Sequence, residues 1–487
     1  AVEMAPERSD RPWTPAVNAA GEIIAGAKPA VPPEETTFQL PMNTKLANVP
    51  AQPQLDYERT YSLAELIDIA QSSNPLTRTA WNAARDVALA AGVVRSSFLP
   101  RLSASVVAGY QHSHESHNAQ GVDVDDDLTA DGTVSALSIQ WLLFDFGERE
   151  ALFNAAKQAS VIANIAFTAA HQQVIYEVSL AFYANSAACA RARTALRSVK
   201  NAQDIQTAAE ERYAHDIGTV IDVAQARQAT AQAQLVKVQA EGAAQDAYLS
   251  LVSAMGISPT TQIKVADVAD RKLPPAASES IDRIVADALG RRPDVLTAHA
   301  AHLASLENVR AAQAEFLPKF FLSATGAYNA SHLNVTAIPS IDQGLPTVNL
   351  SGNRRSATIF AGFTVPVYDG GTRAATLKQA QAKAENAEIA LTRIREEAVR
   401  QIVFAENGVR SSLSAYAAST ALATAARTTF DAALAAYRND VGSLTAVAIA
   451  ENQLLAAENV ATDAYSAALS SAATLALAAG KLGAAPQ

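Results

Sequence analysis

The chain states its plan twice, and that duplication constrains its fold more than any other feature. Phe98-Leu99-Pro100-Arg101-Leu102 returns as Phe316-Leu317-Pro318-Lys319-Phe320, and Pro75 returns as Pro293, both 218 positions on. Asp145-Phe146-Gly147-Glu148-Arg149 returns as Asp369-Gly370-Gly371-Thr372-Arg373, now 224 positions on. The offset is still 224 between Tyr213-x-x-Asp216-Ile217-Gly218 and Tyr437-x-x-Asp440-Val441-Gly442. A period this long is not that of a solenoid. It implies two similar halves performing one structural task side by side.

Each half opens on helical periodicity. Ser62 and Glu65 form a capping box ahead of Leu63, Leu66, Ile67 and Ala70. Asn74-Pro75 interrupts, a second helix runs to about Ser97, and Pro100 ends it because proline lacks an N–H and fixes φ. The period then changes from helical to two. Leu102, Ala104, Val106, Ala108 and Tyr110 alternate with more polar neighbours, as do Phe320, Leu322, Ala324, Gly326 and Tyr328. Partner strands follow at Leu137–Leu143 and Ile359–Val365. The strands are expected at about 101–113, 133–145, 319–331 and 355–368. Leu102, Val106, Ile139, Trp141, Leu322 and Phe363 belong to the apolar face, and Ser103, Ser105, Gln140, Ser323 and Thr325 to the polar one. Strands of about 10 residues, alternating and aromatic-ended, carry the weak signature of a transmembrane barrel, although a soluble antiparallel sheet alternates in the same way.

No Pro or Gly occurs between Gly147 and Asp216, or from Thr372 to Asn407. Leu152, Ala155, Ala159, Ile162, Ala166, Ala169, Gln173, Tyr176, Leu180 and Tyr183 step by 3 and 4, a heptad seam of mostly small residues. Helices are expected over about 147–216 and 372–438, with returning helices from Gly218 to about Met255 and over 443–482. The domain plan is therefore a Pro- and Ala-rich leader over 1–58, one repeat over 59–279 and a second over 280–487. A four-stranded sheet has two open edges and cannot cross a membrane alone, so closure requires several copies sharing one barrel.

Composition removes other classes. Aromatic residues are 6% and charged residues 18%, net charge is −10, and no basic stripe stands out, so nucleic acid is not an expected partner. Cys189 alone excludes an internal disulfide framework and reads as a small buried residue. No stretch approaches the roughly 20 apolar residues of a spanning helix. The chain opens at Ala1 without a charged and apolar leader, so a signal peptide is expected to be already removed or never present, and no N-terminal cysteine offers a lipid anchor. His112, His114 and His117 precede Asp123, Asp125, Asp126 and Asp127, a set with ligand chemistry, but a hydrated polar loop is the preferred reading and no metal is assigned. No nucleophile–base pair, phosphate loop or paired-carboxylate site stands out, so neither an enzyme nor a cofactor is expected.

The doubled Phe-Leu-Pro-Arg/Lys entries, the Asp-x-Gly-x-Arg exits and the Tyr-x-x-Asp-(Ile/Val)-Gly-(Thr/Ser) turns, spanning about 60–482, resemble the TolC-type outer-membrane factor family of Gram-negative bacteria. The resemblance implies a mixed α/β membrane protein. A homotrimer would form a 12-stranded transmembrane β-barrel in outer-membrane lipid, four strands per chain, continued by a long periplasmic α-helical barrel. Its implied role is the passive exit duct of a tripartite pump for small-molecule toxicants or drugs, with a periplasmic adaptor and an inner-membrane transporter as partners. The resemblance places adaptor contacts at the helix tips Gly218, Thr219, Gly442 and Ser443. It places an acidic periplasmic constriction near Asp216, Asp222, Asp440 and Glu451. Members often carry Gly where Asp216 and Asp440 stand. The acid nine positions beyond the tip aromatic is kept as Asp222 but is Ala446 in the second half, where Glu451 follows on the same helix. The tip glycines are expected to adopt the left-handed conformation. The exit duct of a type I protein secretion system fits the same tube, and a soluble coiled-coil scaffold with short hairpins is the alternative of another class.

Overall fold

The computed structural model describes residues 15–24, 40, 42–47, 55–119, 122–268, 273, 280–329 and 355–483. The order is β1 (Thr60–Tyr61), α1 (Leu63–Ser73), α2 (Pro75–Ser96), β2 (Arg101–Ala119), β3 (Val122–Phe144), α3 (Glu148–Ala214) and α4 (Val220–Ala254). The second half gives β4 (Lys264–Val265), α5 (Ile281–Leu289), α6 (Pro293–Ala314), β5 (Lys319–Asn329), β6 (Arg355–Thr364), α7 (Thr372–Arg438) and α8 (Leu444–Ala478). α3 and α7 each have 67 residues, about 100 Å at 1.5 Å per residue. α4 and α8 each have 35, and the 224 offset maps one onto the other end for end. Laid end to end, α1, α2 and α4 match α3 in length. No described helix is long and apolar enough to cross a membrane.

Local chemistry sets the breaks. Asn74 caps α2 by accepting from the Leu76 amide at 2.9 Å, and Pro75 occupies the first helical position. Gly147 and Gly371 start the long helices at φ 93° and 91°, where a side chain is strained. Each Asp-x-Gly-x-Arg motif is also a clamp, which spacing alone does not reveal. Arg149 Nε donates to Asp145 at 2.6 Å, while Nη1 donates to the carbonyls of Ser97 at 2.9 Å and Leu142 at 2.7 Å. Arg373 repeats this on Asp369 at 2.8 Å and on the Pro366 carbonyl at 3.0 Å. Strand end and helix start are thereby fastened together in both halves.

The four long strands form one antiparallel sheet in the order β2-β3-β5-β6. Register decides the faces. Leu102 lies across from Ile139, Ile139 from Ala324 and Ala324 from Ile359, whereas Ser103 lies across from Ser138, Ser138 from Thr325 and Thr325 from Thr358. The six expected apolar residues thus share one side, and the five polar ones share the other. On the apolar side Val106 is 73% exposed and Phe363 64%, while Ser323 and Thr325 on the polar side are buried. A contiguous exposed apolar face of this kind marks an interaction surface.

Several expectations are corrected. β2 and β3 run on to Ala119 and back from Val122, well beyond the expected 113 and 133. The His/Asp segment read as a loop is therefore a two-stranded ribbon, with His114 across from Asp127. The ribbon outruns its neighbour, because β5 pairs with β3 only as far as Val134 and Asn329. Among the described residues no cluster of metal-ligating side chains occurs. β6 stops at Thr364, short of the expected 368, just before Pro366. The expected end of β5 at 331 lies outside the described residues. In the leader, Val17 bridges to Ile23 around a turn at Asn18. The parallel pair β1–β4 lacked any sequence signal at two residues per strand. Of the ten seam residues only Tyr183 is buried, and Leu152, Ala166 and Gln173 are exposed. The stripe covered within one chain runs instead through Val174, Val178, Phe182 and Asn185, because α3 packs against α1, α2 and α4 on one side and α6 and α8 on the other.

Among the described residues four buried clusters hold the helices, and two of them are large. Midway along α3, Val174, Ile175, Val178 and Phe182 meet Leu66, Ile67, Leu251 and Met255, knotting α1 and the end of α4 onto the long helix. Toward the far end the packing is mainly alanine, with Ala208, Ala209, Ala226 and Ala450 around Phe430 and Tyr437. Small side chains let the helix axes approach closely. The lateral order is α2–α3–α6–α7 beside the sheet and α4–α3–α8–α7 beyond the knot. β2, α2 and α4 therefore form one flank, and β6 and α7 form the other.

Candidate functional site: the paired helix tips

The two hairpin tips lie at the ends of α3 and α7, away from the sheet. Each long helix closes in a Schellman motif. The Ile217 amide donates to the Arg212 carbonyl at 3.0 Å and the Asp216 amide to that of Tyr213 at 3.1 Å. In the second half Val441 donates to Ala436 at 3.0 Å and Asp440 to Tyr437 at 3.3 Å. The left-handed residues are Asp216 (φ 59°) and Asp440 (φ 65°), not the expected Gly218 and Gly442. A Schellman turn needs its positive φ at the first position past the cap, which these aspartates occupy. The glycines are needed for another reason. A Cβ at Gly218 would lie 3.0 Å from the Tyr213 nitrogen and 3.2 Å from the Arg212 carbonyl carbon, and one at Gly442 would lie 3.0 Å from the Tyr437 nitrogen.

The returning helices begin at Thr219 and Ser443. Thr219 Oγ1 accepts from the Asp222 amide at 3.2 Å, and the Asp222 carboxylate accepts from the Thr219 amide at 2.9 Å and from its hydroxyl at 2.7 Å. Asp222 thus closes a capping box. Ser443 accepts from the Ala446 amide at 3.2 Å, and no acid completes a box there. Ile217, Val220, Ile221 and Val441 are exposed beside these caps.

The tips are latched to each other by a residue that motif spacing did not single out. Arg212, on the last turn of α3, forms an ion pair with Asp440 and donates to the Tyr437 carbonyl at 2.7 Å. Its guanidinium also stacks on the Tyr437 ring, 4.7 Å from the centroid. Burial pushes the Tyr437 phenol above its ordinary range. A sequence signal existed: the position before the tip tyrosine is Arg212 in one half and Ala436 in the other. We expect Arg212→Ala to expose both tips to protease in the otherwise folded protein, with new cuts near Ile217 and Val441. Unchanged digestion would show that the latch does not order them.

The four acids do not form one group. Asp216 is exposed, Asp222 serves its cap, and Asp440 is paired with Arg212. Glu451 lies deep in the seam between α3 and α8, where its Oε2 accepts from Asn201 at 3.0 Å. Burial pushes its carboxyl above the usual carboxylate range, opposed by hydrogen bonds from Ser198 and Asn201. A carboxyl raised in this way contributes stability below the ordinary carboxylate pKa of about 4.5, and that contribution is lost as pH rises through the raised value. Glu451→Gln should therefore flatten the decline of Tm as pH rises from about 4.5 through the raised value. Asn201→Leu, which removes one of the two donors to this buried carboxyl, should cost about 1–3 kcal/mol. Equal pH profiles for wild type and Glu451→Gln would refute the assignment.

Comparison with known proteins bears on the family and the fold. The description of the outer membrane efflux protein family matches residues 66–257 and 284–481. Protein CyaE of Bordetella pertussis is 28% identical over 351 residues, covering 71% of this chain and 68% of that protein. Outer membrane protein OprJ of Pseudomonas aeruginosa is 24% identical over 242 residues, covering 50% of this chain and 47% of that protein. Among solved structures, the Vibrio cholerae outer membrane protein VceC superposes with a TM-score of 0.68 at 21% identity, covering 87% of this chain and 96% of that one. CusC superposes with a TM-score of 0.72 at 18% identity, covering 88% and 96%. The two-part family match falls on the two halves in turn, and the chain belongs to the outer membrane efflux protein family: an outer-membrane channel, not an enzyme, with its helices in the periplasm.

Proposed function

We propose that the chain is the exit duct of a tripartite efflux pump, passively conducting small toxicants or drugs through a homotrimer. The observation that carries this reading is the four-stranded sheet, which has an exposed apolar face and, among the described residues, both edges open. The helices leave the same two flanks open, α2 and α4 on one and α7 on the other. Three copies placed flank to flank close a 12-stranded barrel and a helical tube together, leaving no strand edge in lipid. Six tips then face the periplasm, where Gly218, Thr219, Gly442 and Ser443, bordered by exposed Ile217 and Val441, offer a docking rim for a periplasmic adaptor. An inner-membrane transporter supplies the energy. Pyoverdine export is named for OpmQ of Pseudomonas aeruginosa, 25% identical over 242 residues, and an export role suits this reading.

Among the constriction candidates, Asp216 and Asp222 carry the negative field of the tube end, with Asp440 held in its latch and Glu451 withdrawn into the seam. Within one chain the division into a leader, 59–279 and 280–487 follows the helix and strand repeat. Deleting the gene should sensitise cells to amphiphilic toxicants, and the wild-type chain should restore resistance. Unchanged susceptibility together with lost export of a polypeptide would replace the efflux duct with a secretion duct.

A further inference from the structure

A groove runs along α8 beside the strap of chain that carries β4 across α3, and neither the tips nor the sheet uses it. Its volume is about 570 Å³, and from Glu458 to Leu469 it covers about 17 Å of α8 at 1.5 Å per residue. The floor is α8, one wall is α3 from Tyr183 to Arg193, and the other is α7 from Tyr416 to Arg427. Asp267 and Val268 of the strap close one edge. Ser186 Oγ donates to Asp267 at 3.0 Å, and Arg193 pairs with the same carboxylate at 2.7 Å, which fastens the strap there. In the proposed trimer a further layer on the bore side would obstruct the passage, so this face is turned to the periplasm.

The duplication does not account for the lining. Wherever helix packing alone dictates a side chain, the 224 offset should return a like residue in the equivalent groove. It returns Asn407 for Tyr183, Ala192 for Tyr416 and Glu241 for Tyr465. For Arg193 it returns Ala417, and for Arg427 it returns Gln203. Each half nevertheless builds the same two helices at the same lengths. The fold therefore does not require three tyrosines and two arginines at this place.

Their chemistry selects a ligand. The Tyr416 and Tyr465 rings are half-buried and lie 5.3 Å apart between centroids, so they offer apolar faces beside polar tips. Arg193 is held by Asp267, and Arg427 by Glu458, which Arg197 also reaches at 2.7 Å. A charged ligand would compete at each site with a partner already in place. A hydroxyl would not, because it donates to the carboxylate and accepts from the guanidinium together. Thr420, Thr424 and Thr462 donate to carbonyls one turn back at 2.8, 2.9 and 2.9 Å, which leaves their oxygens as acceptors. A sugar ring combines an apolar C–H face with neighbouring hydroxyls of this kind.

We propose that the groove binds a short pyranose oligosaccharide, its ring faces stacked on Tyr416 and Tyr465 and its hydroxyls bridging the two arginine–carboxylate pairs. The volume falls within the range of small-ligand sites. The site is the same whether the tube serves efflux or secretion. Two periplasmic sources share this chemistry: soluble glucan oligosaccharides and the amino-sugar strands of the cell wall.

Titration calorimetry on the purified full-length protein in detergent tests the site, with maltotetraose and the linear tetramer of N-acetylglucosamine as probes. At least one of them should bind saturably. Tyr416→Ala with Tyr465→Ala should weaken that binding about tenfold or more. Ala461→Trp should do the same by filling the groove while every other lining group stays in place. Both variants should keep the wild-type oligomer on gel filtration and wild-type dye export, because the other half builds its helices without these rings. Binding of the amino-sugar tetramer, with sedimentation on purified cell-wall sacculi that Ala461→Trp abolishes, assigns the wall strands. Binding of either sugar without such sedimentation assigns a soluble oligosaccharide. No saturable binding of either sugar, or binding that both variants leave unchanged, would overturn the proposal.

Discussion

Valine at Gly218 or Gly442 should abolish export while the protein still inserts and assembles. A Cβ at either position meets the backbone of the preceding helix turn at 3.0 Å, and backbone cannot step aside as a flexible side chain would. Relief requires opening the Schellman turn, with loss of the Ile217–Arg212 or Val441–Ala436 bond and displacement of the cap at Thr219 or Ser443. Overpacking of this kind costs about 1–3 kcal/mol, here confined to the tip. The proposed barrel is distant from the tips, so the amount of protein in the outer membrane should not change. The matching control is Asp216→Gly, because Asp440 is also held by Arg212. Asp216 sits at positive φ, where glycine is relieved of roughly 1 kcal/mol of strain, so this variant should retain export. Toxicant susceptibility of complemented cells, read beside outer-membrane protein levels, decides the matter. Normal export from Gly218→Val would refute the close-approach argument.

Arginine at Val106 should prevent stable insertion, whereas arginine at Ser105 should be tolerated. The two residues are neighbours in β2 on opposite faces, and register aligns Val106 with the exposed apolar side across all four strands. On a lipid-facing site near mid-membrane, arginine costs about 2–4 kcal/mol, and the proposed trimer would carry that penalty three times in one barrel. Ser105 lies on the side that carries Ser103, Ser138 and Thr325, where a charge would meet water in the tube. Heat-modifiable migration of the folded barrel and its yield in the outer membrane measure the effect. The reverse pattern would mean that the polar face is the outer one.

The architecture was legible because its determinants are local and repeated. Proline at 75, 100, 293 and 318 ends or begins helices wherever it falls, and period-two alternation identified the same apolar residues that register later aligned. The hairpin ribbon was misread because its strands lose alternation in the His/Asp segment, while the backbone ladder continues regardless of side-chain polarity. The heptad seam was misread because periodicity gives the spacing of an apolar stripe but not which neighbouring helix covers it.

The sequence by itself determined the two-fold plan, the lengths of the long helices, the strand faces and the position of the tip turns. Each follows from backbone preference or from side-chain period within a short window. Only the tertiary structure decided which residue at the tip takes the left-handed turn and why its glycine is needed. It also decided that Glu451 is buried against Asn201, that Arg212 latches one tip to the other, and that Arg191 and Arg197 of α3 reach Asp463 and Glu458 of α8. Those facts join residues more than 200 positions apart, and the packing of α3 against α8 brings them within hydrogen-bonding distance.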